Sequence, residues 1–338
     1  MASGLVEQIV VDIPSEHLSN IFGGLDSHIK KIEKNLDVRV ISRDGVVKVE
    51  GESGKLELAK RVFDEMLTLS LSGETITDQN VNYILSISKE RSDVSLAQIE
   101  KDIIAYTVQG KPVKPKTLGQ KKYVDNIRDK MMVFGVGPAG TGKTYLAMAM
   151  AIQAFKQNEV EKIILTRPAI EAGENLGFLP GDLQSKIDPY LRPLYDALYQ
   201  IMGAESFIKN SEKGLIEVAP LAYMRGRTLD NAYIILDEAQ NTTPSQMKMF
   251  LTRIGFGSKV VITGDLSQKD LKYNELSGLE QALTVLKSVE EIGVSYLSNK
   301  DVVRHPLVQK IVHAYEKFEA KEQYKEKYKK QHKKNEGR

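Results

Sequence analysis

Apolar and polar residues alternate over the first 72 positions in a pattern that predicts a small α+β domain. Six elements are expected in the order β-α-α-β-β-α, at positions 7–13, 15–22, 27–35, 37–42, 46–50 and 55–71. Asp44 and Gly45 separate the second and third strands, and Asp-Gly is a hairpin signal. The last element repeats apolar residues at helical spacing, as Leu56, Ala59, Val62 and Phe63 illustrate.

Positions 73–118 have the pattern of a connector. One helix is expected after Thr77, and a second is expected within the apolar-periodic stretch 95–108. The following segment, GKPVKPKTLGQ, holds two prolines and a glycine and is expected to be extended. The boundary between two domains is therefore placed in this segment.

From Gln120 onward, short apolar runs alternate with helical patterns, which predicts a parallel α/β sheet. After a first apolar run that begins at Met131, strands are expected at 162–166, 215–219, 232–236, 259–263 and 294–298. These runs are rich in β-branched residues, as is typical of strands covered on both faces. Helices are expected between them, for example at 278–289 and 305–320.

The first run of this sheet leads into GPAGTGKT, which matches the phosphate-loop pattern GxxxxGK[ST] between a strand and a helix. Backbone N–H groups of such a loop surround a polyphosphate at a helix N-terminus, where the helix dipole favours anions. Lys143 is expected to reach the β and γ phosphates, and Thr144 is expected to bind Mg²⁺. The predicted nucleotide-binding residues are Gly137, Pro138, Ala139, Gly140, Thr141, Gly142, Lys143, Thr144 and Tyr145.

Composition narrows the class of protein. The 338 residues are 41% hydrophobic and 27% charged, as in globular proteins, and no window is apolar enough to span a membrane. Cysteine is absent, which excludes disulfides and fits a cytoplasmic location. The five histidines lack metal-binding spacing, so no structural metal is expected. Only the segment 321–338 is strongly basic. Such a segment is either the solvated end of a helix or a contact surface for nucleic acid or a partner.

A second chemical signal is IILDEAQN, in which an apolar strand delivers Asp237 and Glu238 at its C-terminal end. This end of a parallel strand is the usual ligand-binding edge of the sheet. Asp237 is expected to hold Mg²⁺ through water, and Glu238 is expected to orient the attacking water as the base. The alternative is that both are surface carboxylates that cap the next helix.

The next strand ends in GDLSQ. The motifs GPAGTGKT, DEAQ and GDxxQ in this order resemble the first motor domain of superfamily 1 helicases. The resemblance implies that the GDxxQ strand lies between the other two and that Gln268 approaches the γ-phosphate. It also implies that Gln120, in a segment similar to the family's glutamine motif, reads the adenine edge and favours ATP.

The whole chain resembles the PhoH-like proteins, from FGGLDSHIKKIE through TRPAIEAGENLGFLPGD and MRGRTLDNAYIILDEAQN to DVVRHPLV. Such proteins have a single motor domain and are found as rings, so the resemblance implies a homo-oligomer, with a hexamer as the expected size. An arginine from a neighbouring copy would then complete each ATP site. Arg304 is the first choice, Arg225 and Arg227 come second, and Arg253 is third.

The N-terminal element order resembles a KH domain, an RNA-binding module with a GXXG turn. The corresponding turn here is Gly23-Gly24-Leu25-Asp26, whose last residue places a negative charge where phosphates would lie. RNA binding and a docking role that has lost this contact both remain open. By resemblance, the long segment from Arg167 to Pro193 corresponds to the helicase segment that grips single strands. Arg167 and 173–177 would then contact RNA or line the pore of a ring, and an interface loop is the alternative.

The predicted protein is therefore an Mg²⁺-dependent ATPase with a RecA-like P-loop sheet, preceded by a small α+β KH-like domain. Single-stranded RNA is a candidate partner, with RNA-stimulated hydrolysis as the predicted activity. The alternative is a nucleotide-gated adaptor that recruits a ribonuclease without unwinding. The predicted parts are a KH-like domain at 1–72, a connector at 73–118, the ATPase domain at 119–320 and a basic tail at 321–338. The catalytic set is Lys143, Glu238, Gln268 and Arg304.

Overall fold

The computed structural model describes residues 7–43, 45–88, 99, 101–168, 183–271 and 275–303, and isolated positions from 307 to 318. For residues 183–190 it describes the backbone alone. Contacts divide the chain into one unit at Met1–Asp301 and a second at Val302–Arg338. All elements named below belong to the first unit.

The N-terminal region has the predicted order of elements. Its strands and helices are β1 (Glu7–Val11), α1 (Ser15–Phe22), α2 (Ser27–Leu36), β2 (Arg39–Arg43), β3 (Val46–Gly51) and α3 (Ser53–Leu71). The three strands form an antiparallel sheet with β3 in the centre. Alternate residues of β3, Val47 and Val49, are fully buried against α3, which gives this region a core of its own.

The segment after α3 contributes to the same core. Helix α4 (Asp78–Ile87) begins with a capping box at Thr77, as its polar start predicts. Its residues Val81 and Ile84 are buried with the side chains of α3. The helix expected within 95–108 lies partly outside the described residues, and the prediction of helix for the last of these positions is wrong. Positions 105–106 form strand β4 (Ala105–Tyr106), which pairs with β5 (Pro112–Val113).

The remainder of the first unit is a six-stranded parallel sheet with helices on both faces. Its strands are β6 (Met132–Val136), β7 (Lys162–Arg167), β8 (Ile216–Pro220), β9 (Ala232–Leu236), β10 (Lys259–Gly264) and β11 (Ile292–Tyr296). The spatial order is β11-β6-β10-β9-β7-β8, so the GDLSQ strand lies between the phosphate-loop and DEAQ strands as expected. This arrangement confirms the predicted RecA-like P-loop fold.

Two apolar cores cover the sheet. Ile163 and Leu165 belong to the core beneath four helices, whereas Ile164 between them belongs to the core on the opposite face. Because successive side chains of a strand point to opposite faces, a continuous apolar run serves both cores. The helices are α5 (Leu118–Asp129), α6 (Lys143–Lys156), α7 (Leu183–Met202), α8 (Ala204–Glu212), α9 (Pro244–Leu251) and α10 (Gly278–Val285).

Some predicted boundaries are wrong. The last strand begins and ends two residues earlier than expected, at Ile292 and Tyr296. Helix α10 ends at Val285 instead of 289, since a short turn follows it. Most of the helix expected at 305–320, and all of the tail from 321, lie outside the described residues. No helix in the described ranges combines the length and apolar character needed to cross a bilayer.

Candidate nucleotide-binding site

Four neighbouring strands deliver polar residues to one edge of the sheet. The phosphate loop follows β6, the GDLSQ turn follows β10, the DEAQ residues follow β9, and Arg167 ends β7. The first three of these segments surround a cleft of about 260 Å³, and Arg167 lies outside it. The cleft is lined by Ala139, Gly140, Gly142, Lys143, Thr144, Tyr145, Asp237, Glu238, Gly264, Asp265 and Gln268. Three sequence motifs that lie between residues 137 and 268 therefore meet at one site.

The phosphate loop turns sharply before α6. Gly140 and Gly142 have φ angles of 80° and 79°, which are left-handed values that favour glycine. Lys143 is 9% exposed, and its Nζ donates hydrogen bonds to the carbonyl oxygens of Gly137 (2.6 Å) and Pro138 (2.9 Å). A phosphate group in the cleft would be a stronger acceptor for this ammonium group than a neutral carbonyl oxygen.

Two hydroxyl groups hold the Asp237 carboxylate. The Oγ1 atoms of Thr144 and Thr263 each donate to Asp237 Oδ1 at 2.6 Å. Asp237 is 7% exposed, and Thr263 is fully buried at the end of β10. Mg²⁺ prefers oxygen ligands and binds through one or two carboxylates together with substrate phosphates. The oxygen atoms of Thr144 and Asp237 lie beside the phosphate loop and are of the type that Mg²⁺ binds. The sequence-based prediction named these two residues and did not name Thr263.

Glu238 has an unusual backbone conformation and two side-chain partners. Its φ angle is 52°, a left-handed value that is uncommon for residues other than glycine. Gln240 Nε2 donates to its Oε2 at 2.5 Å, and Arg167 Nη2 lies 3.2 Å from its Oε1. The side chain is 34% exposed at the rim of the cleft. This position beside the phosphate loop is suitable for a base that orients a water molecule.

Gln240 connects the DEAQ and GDLSQ motifs. Besides its bond to Glu238, its Nε2 donates to the carbonyl oxygen of Gln268 at 3.1 Å, and its Oε1 accepts from the Asp265 N–H at 3.0 Å. Asp265 in turn accepts from the Ala139 N–H of the phosphate loop at 3.1 Å. Gln240 is 1% exposed. The sequence motif identified this residue but did not predict that its side chain connects the two motifs.

Gln120 lies beneath the phosphate loop and does not line the cleft. Its Nε2 donates to the carbonyl oxygen of Thr141 at 3.0 Å, and its Oε1 accepts from the Lys116 N–H at 2.7 Å. Both ends of the amide are therefore bonded to backbone, an arrangement that the prediction of an adenine contact did not anticipate. Tyr145 does line the cleft, and burial raises the pKa of its phenol.

The candidate arginines for a shared site differ in their surroundings. Arg304 lies outside the described residues. Arg227 forms a two-pronged ion pair with Glu217 of β8, at 2.6 and 2.7 Å, which commits its guanidinium to its own chain. Arg225 is exposed, and the Nε of Arg253 is buried with no hydrogen-bond partner among the described residues.

The turn between α1 and α2 is exposed and left-handed. Leu25 and Asp26 have φ angles of 54° and 57°, and Leu25 is 91% exposed. An open groove beside this turn is lined by Leu18, Ser19, Phe22, Gly23, Gly24, Asp26 and Ser42. Asp26 is one of the residues that line this groove.

Comparison with known proteins identifies the family. Residues 112–316 match the PhoH-like protein family. A PhoH-like protein of Bacillus subtilis is 51% identical over 304 residues, which cover 90% of this chain and 95% of the relative. A PhoH-like protein of Mycobacterium tuberculosis is 50% identical over 310 residues, with 91% and 88% coverage.

Among solved structures, the Pif1 helicase of Candida albicans is 14% identical and covers 54% of this chain and 40% of that chain. Its TM-score of 0.29 is too low to add to the assignment. The family assignment rests on the family match over more than half of the chain and on the 51% identical relative that covers 90% of it. It agrees with the phosphate loop, DEAQ and GDLSQ motifs around one cleft. The chain belongs to the PhoH-like protein family.

Proposed function

We propose that this chain is an Mg²⁺-dependent ATPase that acts in RNA metabolism as a homo-oligomer. The observation that carries the proposal is the grouping of Lys143, Thr144, Asp237, Glu238 and Gln268 around one cleft. P-loop nucleotide hydrolases use these residue types to bind phosphates, hold the metal ion and position water.

Each residue of the cleft has a separate task in the proposed reaction. Backbone N–H groups of 139–144 and the Lys143 ammonium group bind the phosphates. Thr144 and Asp237 hold Mg²⁺, which when bound neutralises charge on the phosphate oxygens. Glu238 orients the attacking water and accepts its proton. Gln268, which lines the cleft, contacts the γ-phosphate and so senses whether hydrolysis has removed it.

Two features support contacts with other molecules. The segment from Lys321 carries a net charge of +5, which favours a polyanion such as single-stranded RNA. Exposed apolar side chains occur at the described helical positions 307, 308, 311, 312, 315 and 318. Apolar surface of this kind favours assembly between copies or with a partner protein.

The steady-state ATPase rate, with and without single-stranded RNA, tests this proposal. We expect hydrolysis that requires Mg²⁺, is lost in Lys143→Ala, and rises with RNA in a manner that weakens as salt increases. Absence of hydrolysis in the wild-type chain would contradict the ATPase assignment.

A second candidate is a nucleotide-gated adaptor, which the exposed apolar positions in the C-terminal unit favour. In that case ATP binding would change assembly and recruit a partner such as a ribonuclease, without movement along RNA. Hydrolysis that no nucleic acid stimulates would support the adaptor and exclude an RNA-driven motor.

A further inference from the structure

Both carboxylate oxygens of Glu238 are engaged in this structure. Arg167 Nη2 lies 3.2 Å from Oε1, and Gln240 Nε2 donates to Oε2 at 2.5 Å. Arg167 is the last residue of β7, and its side chain is 22% exposed. The side chain proposed as the base is therefore held from two directions by residues of its own chain.

The two partners hold Glu238 from opposite sides. Strand β9, which delivers Glu238, lies between β10 and β7. The phosphate loop lies beyond β10, whereas Arg167 lies on β7, on the side away from the phosphate loop. Gln240 also bonds the Gln268 carbonyl and the Asp265 N–H of the turn after β10. Arg167 thus contacts the carboxylate from the side away from the phosphate loop, and Gln240 bonds it from the side of the turn that follows β10.

Arg167 does not line the nucleotide cleft, although Glu238 does. A direct role of the Arg167 guanidinium on the transferred phosphoryl group would require it to reach the cleft past Glu238. Its contact with the reaction, as the residues are placed, passes through the Glu238 carboxylate. This position distinguishes Arg167 from the lysine of the phosphate loop.

We propose that Arg167 is a positioning residue that restrains Glu238 in a resting orientation and so limits the basal rate of hydrolysis. The inference rests on the proposed function, because it takes Glu238 to be the base. If only the released fraction of Glu238 can act, the observed rate is reduced by that fraction. A partly exposed ion pair shifts such an equilibrium by a few-fold and does not abolish activity.

Steady-state kinetics of Arg167→Gln test the restraint. We expect kcat without RNA to rise by about two- to five-fold, since a partly exposed pair supplies an equilibrium shift of that size. The KM for ATP should stay unchanged, because Arg167 lies outside the cleft. Arg167→Lys keeps the charge and should give an intermediate rate.

Arg61→Gln is the matched control. Arg61 of α3 forms an exposed ion pair with Glu57 at 2.9 Å, so the control loses the same charge and a similar pair in the N-terminal region, outside the cleft. Its kcat should equal that of the wild-type chain. A fall in kcat for Arg167→Gln would overturn the inference, because it would mean that Arg167 supports the reacting geometry of Glu238. An unchanged kcat would overturn it as well.

The pair is also testable in the nucleotide-free protein. The Tm of Arg167→Gln, Glu238→Gln and the double variant forms a double-mutant cycle, measured at low ionic strength. We expect the double variant to differ from the sum of the single variants by about 1–3 °C, as a single ion pair produces in a chain of this size. Additive shifts would show that the two side chains do not interact.

The two readouts separate failure of this inference from failure of the proposed function. An inactive wild-type chain with a non-additive cycle would remove the ATPase assignment, and with it the restraint, while the contact itself remained. An active wild-type chain whose kcat does not rise in Arg167→Gln would leave the ATPase assignment and remove the restraint alone.

Discussion

Thr263 provides one of the two hydroxyl groups that orient the Asp237 carboxylate. It is fully buried, and its hydroxyl donates to the same carboxylate oxygen as the hydroxyl of Thr144. Hydrogen bonds to a metal ligand fix its orientation, and their loss commonly weakens metal binding by ten- to a hundred-fold. The buried hydroxyl therefore gives Asp237 one orientation toward the phosphate loop.

Replacement of Thr263 by valine keeps the shape of the side chain and removes this donor. We expect the Mg²⁺ concentration for half-maximal ATPase activity to rise by about ten-fold, with little change in nucleotide binding without metal. A titration of Mg²⁺ at saturating ATP measures the effect. Thr263→Ser restores the hydroxyl and should restore most of the metal affinity. An unchanged Mg²⁺ requirement in the valine variant would contradict the role given to Thr263.

Short sequence motifs predict the site residues that belong to them. The cleft is lined by five residues that were predicted in this way, Lys143, Thr144, Asp237, Glu238 and Gln268. Contacts across different strands are not predictable in this way, because they depend on which strands become neighbours. The bond of Thr263 to Asp237 spans 26 residues of sequence, and Arg167 meets Glu238 only because β7 pairs with β9.

Helix α5 connects the phosphate loop to the segment that precedes the sheet. Thr117 caps the helix by accepting from the Gln120 N–H at 3.1 Å, and its own hydroxyl donates to Asp301 at 2.6 Å. The Gln120 side chain then reaches the Thr141 carbonyl. Gln120, which was predicted to contact adenine, thus forms a hydrogen bond to the backbone of the phosphate loop.

Gln120→Ala distinguishes these two roles. If Gln120 supports the loop, its loss weakens ATP and GTP binding by the same factor, which we expect to be about ten-fold because a buried hydrogen-bond acceptor loses its partner. Isothermal titration with both nucleotides measures the ratio. A selective loss of ATP affinity, with GTP affinity unchanged, would instead support the adenine contact.

Element boundaries were predicted best where the local pattern is strong. Helix α1 and strand β9 have the predicted ends, because Pro14 and Gly23 bound the helix and polar Asn231 and Asp237 bound the apolar strand. The hairpin of β4 and β5 was missed for a tertiary reason. Ala105 packs on the sheet's core and Val113 is buried in it, and this packing outweighs the helical pattern of the preceding residues.

The N-terminal region and the sheet are bonded to each other within the first unit. The Leu118 N–H at the start of α5 donates to the Tyr83 hydroxyl of α4, and Lys114 pairs with Glu74 at 3.0 Å. Helix α5 also carries Gln120. A short series of contacts therefore runs from α4 through α5 to the phosphate loop, which gives the small α+β region a physical connection to the nucleotide site.

The proposed assembly predicts a dependence on nucleotide. A site that lacks an arginine from a neighbour is complete only in an oligomer, so we expect light scattering to give a multimer of the 37.8 kDa chain in the presence of ATP and Mg²⁺. Arg304→Ala should keep the molar mass of the wild-type assembly and reduce its hydrolysis by about a thousand-fold. A wild-type chain that remains monomeric under all conditions would contradict a shared site.

The most direct test of the cleft as an ATP-hydrolysing site is a single-turnover measurement on Glu238→Gln beside the wild-type chain. Excess protein is mixed with labelled ATP and Mg²⁺, and bound nucleotide and released phosphate are followed together. The proposed roles predict that the variant binds ATP as tightly as the wild-type chain and releases phosphate at least a hundred-fold more slowly. Phosphate release at the wild-type rate would contradict the assignment of Glu238 as the base.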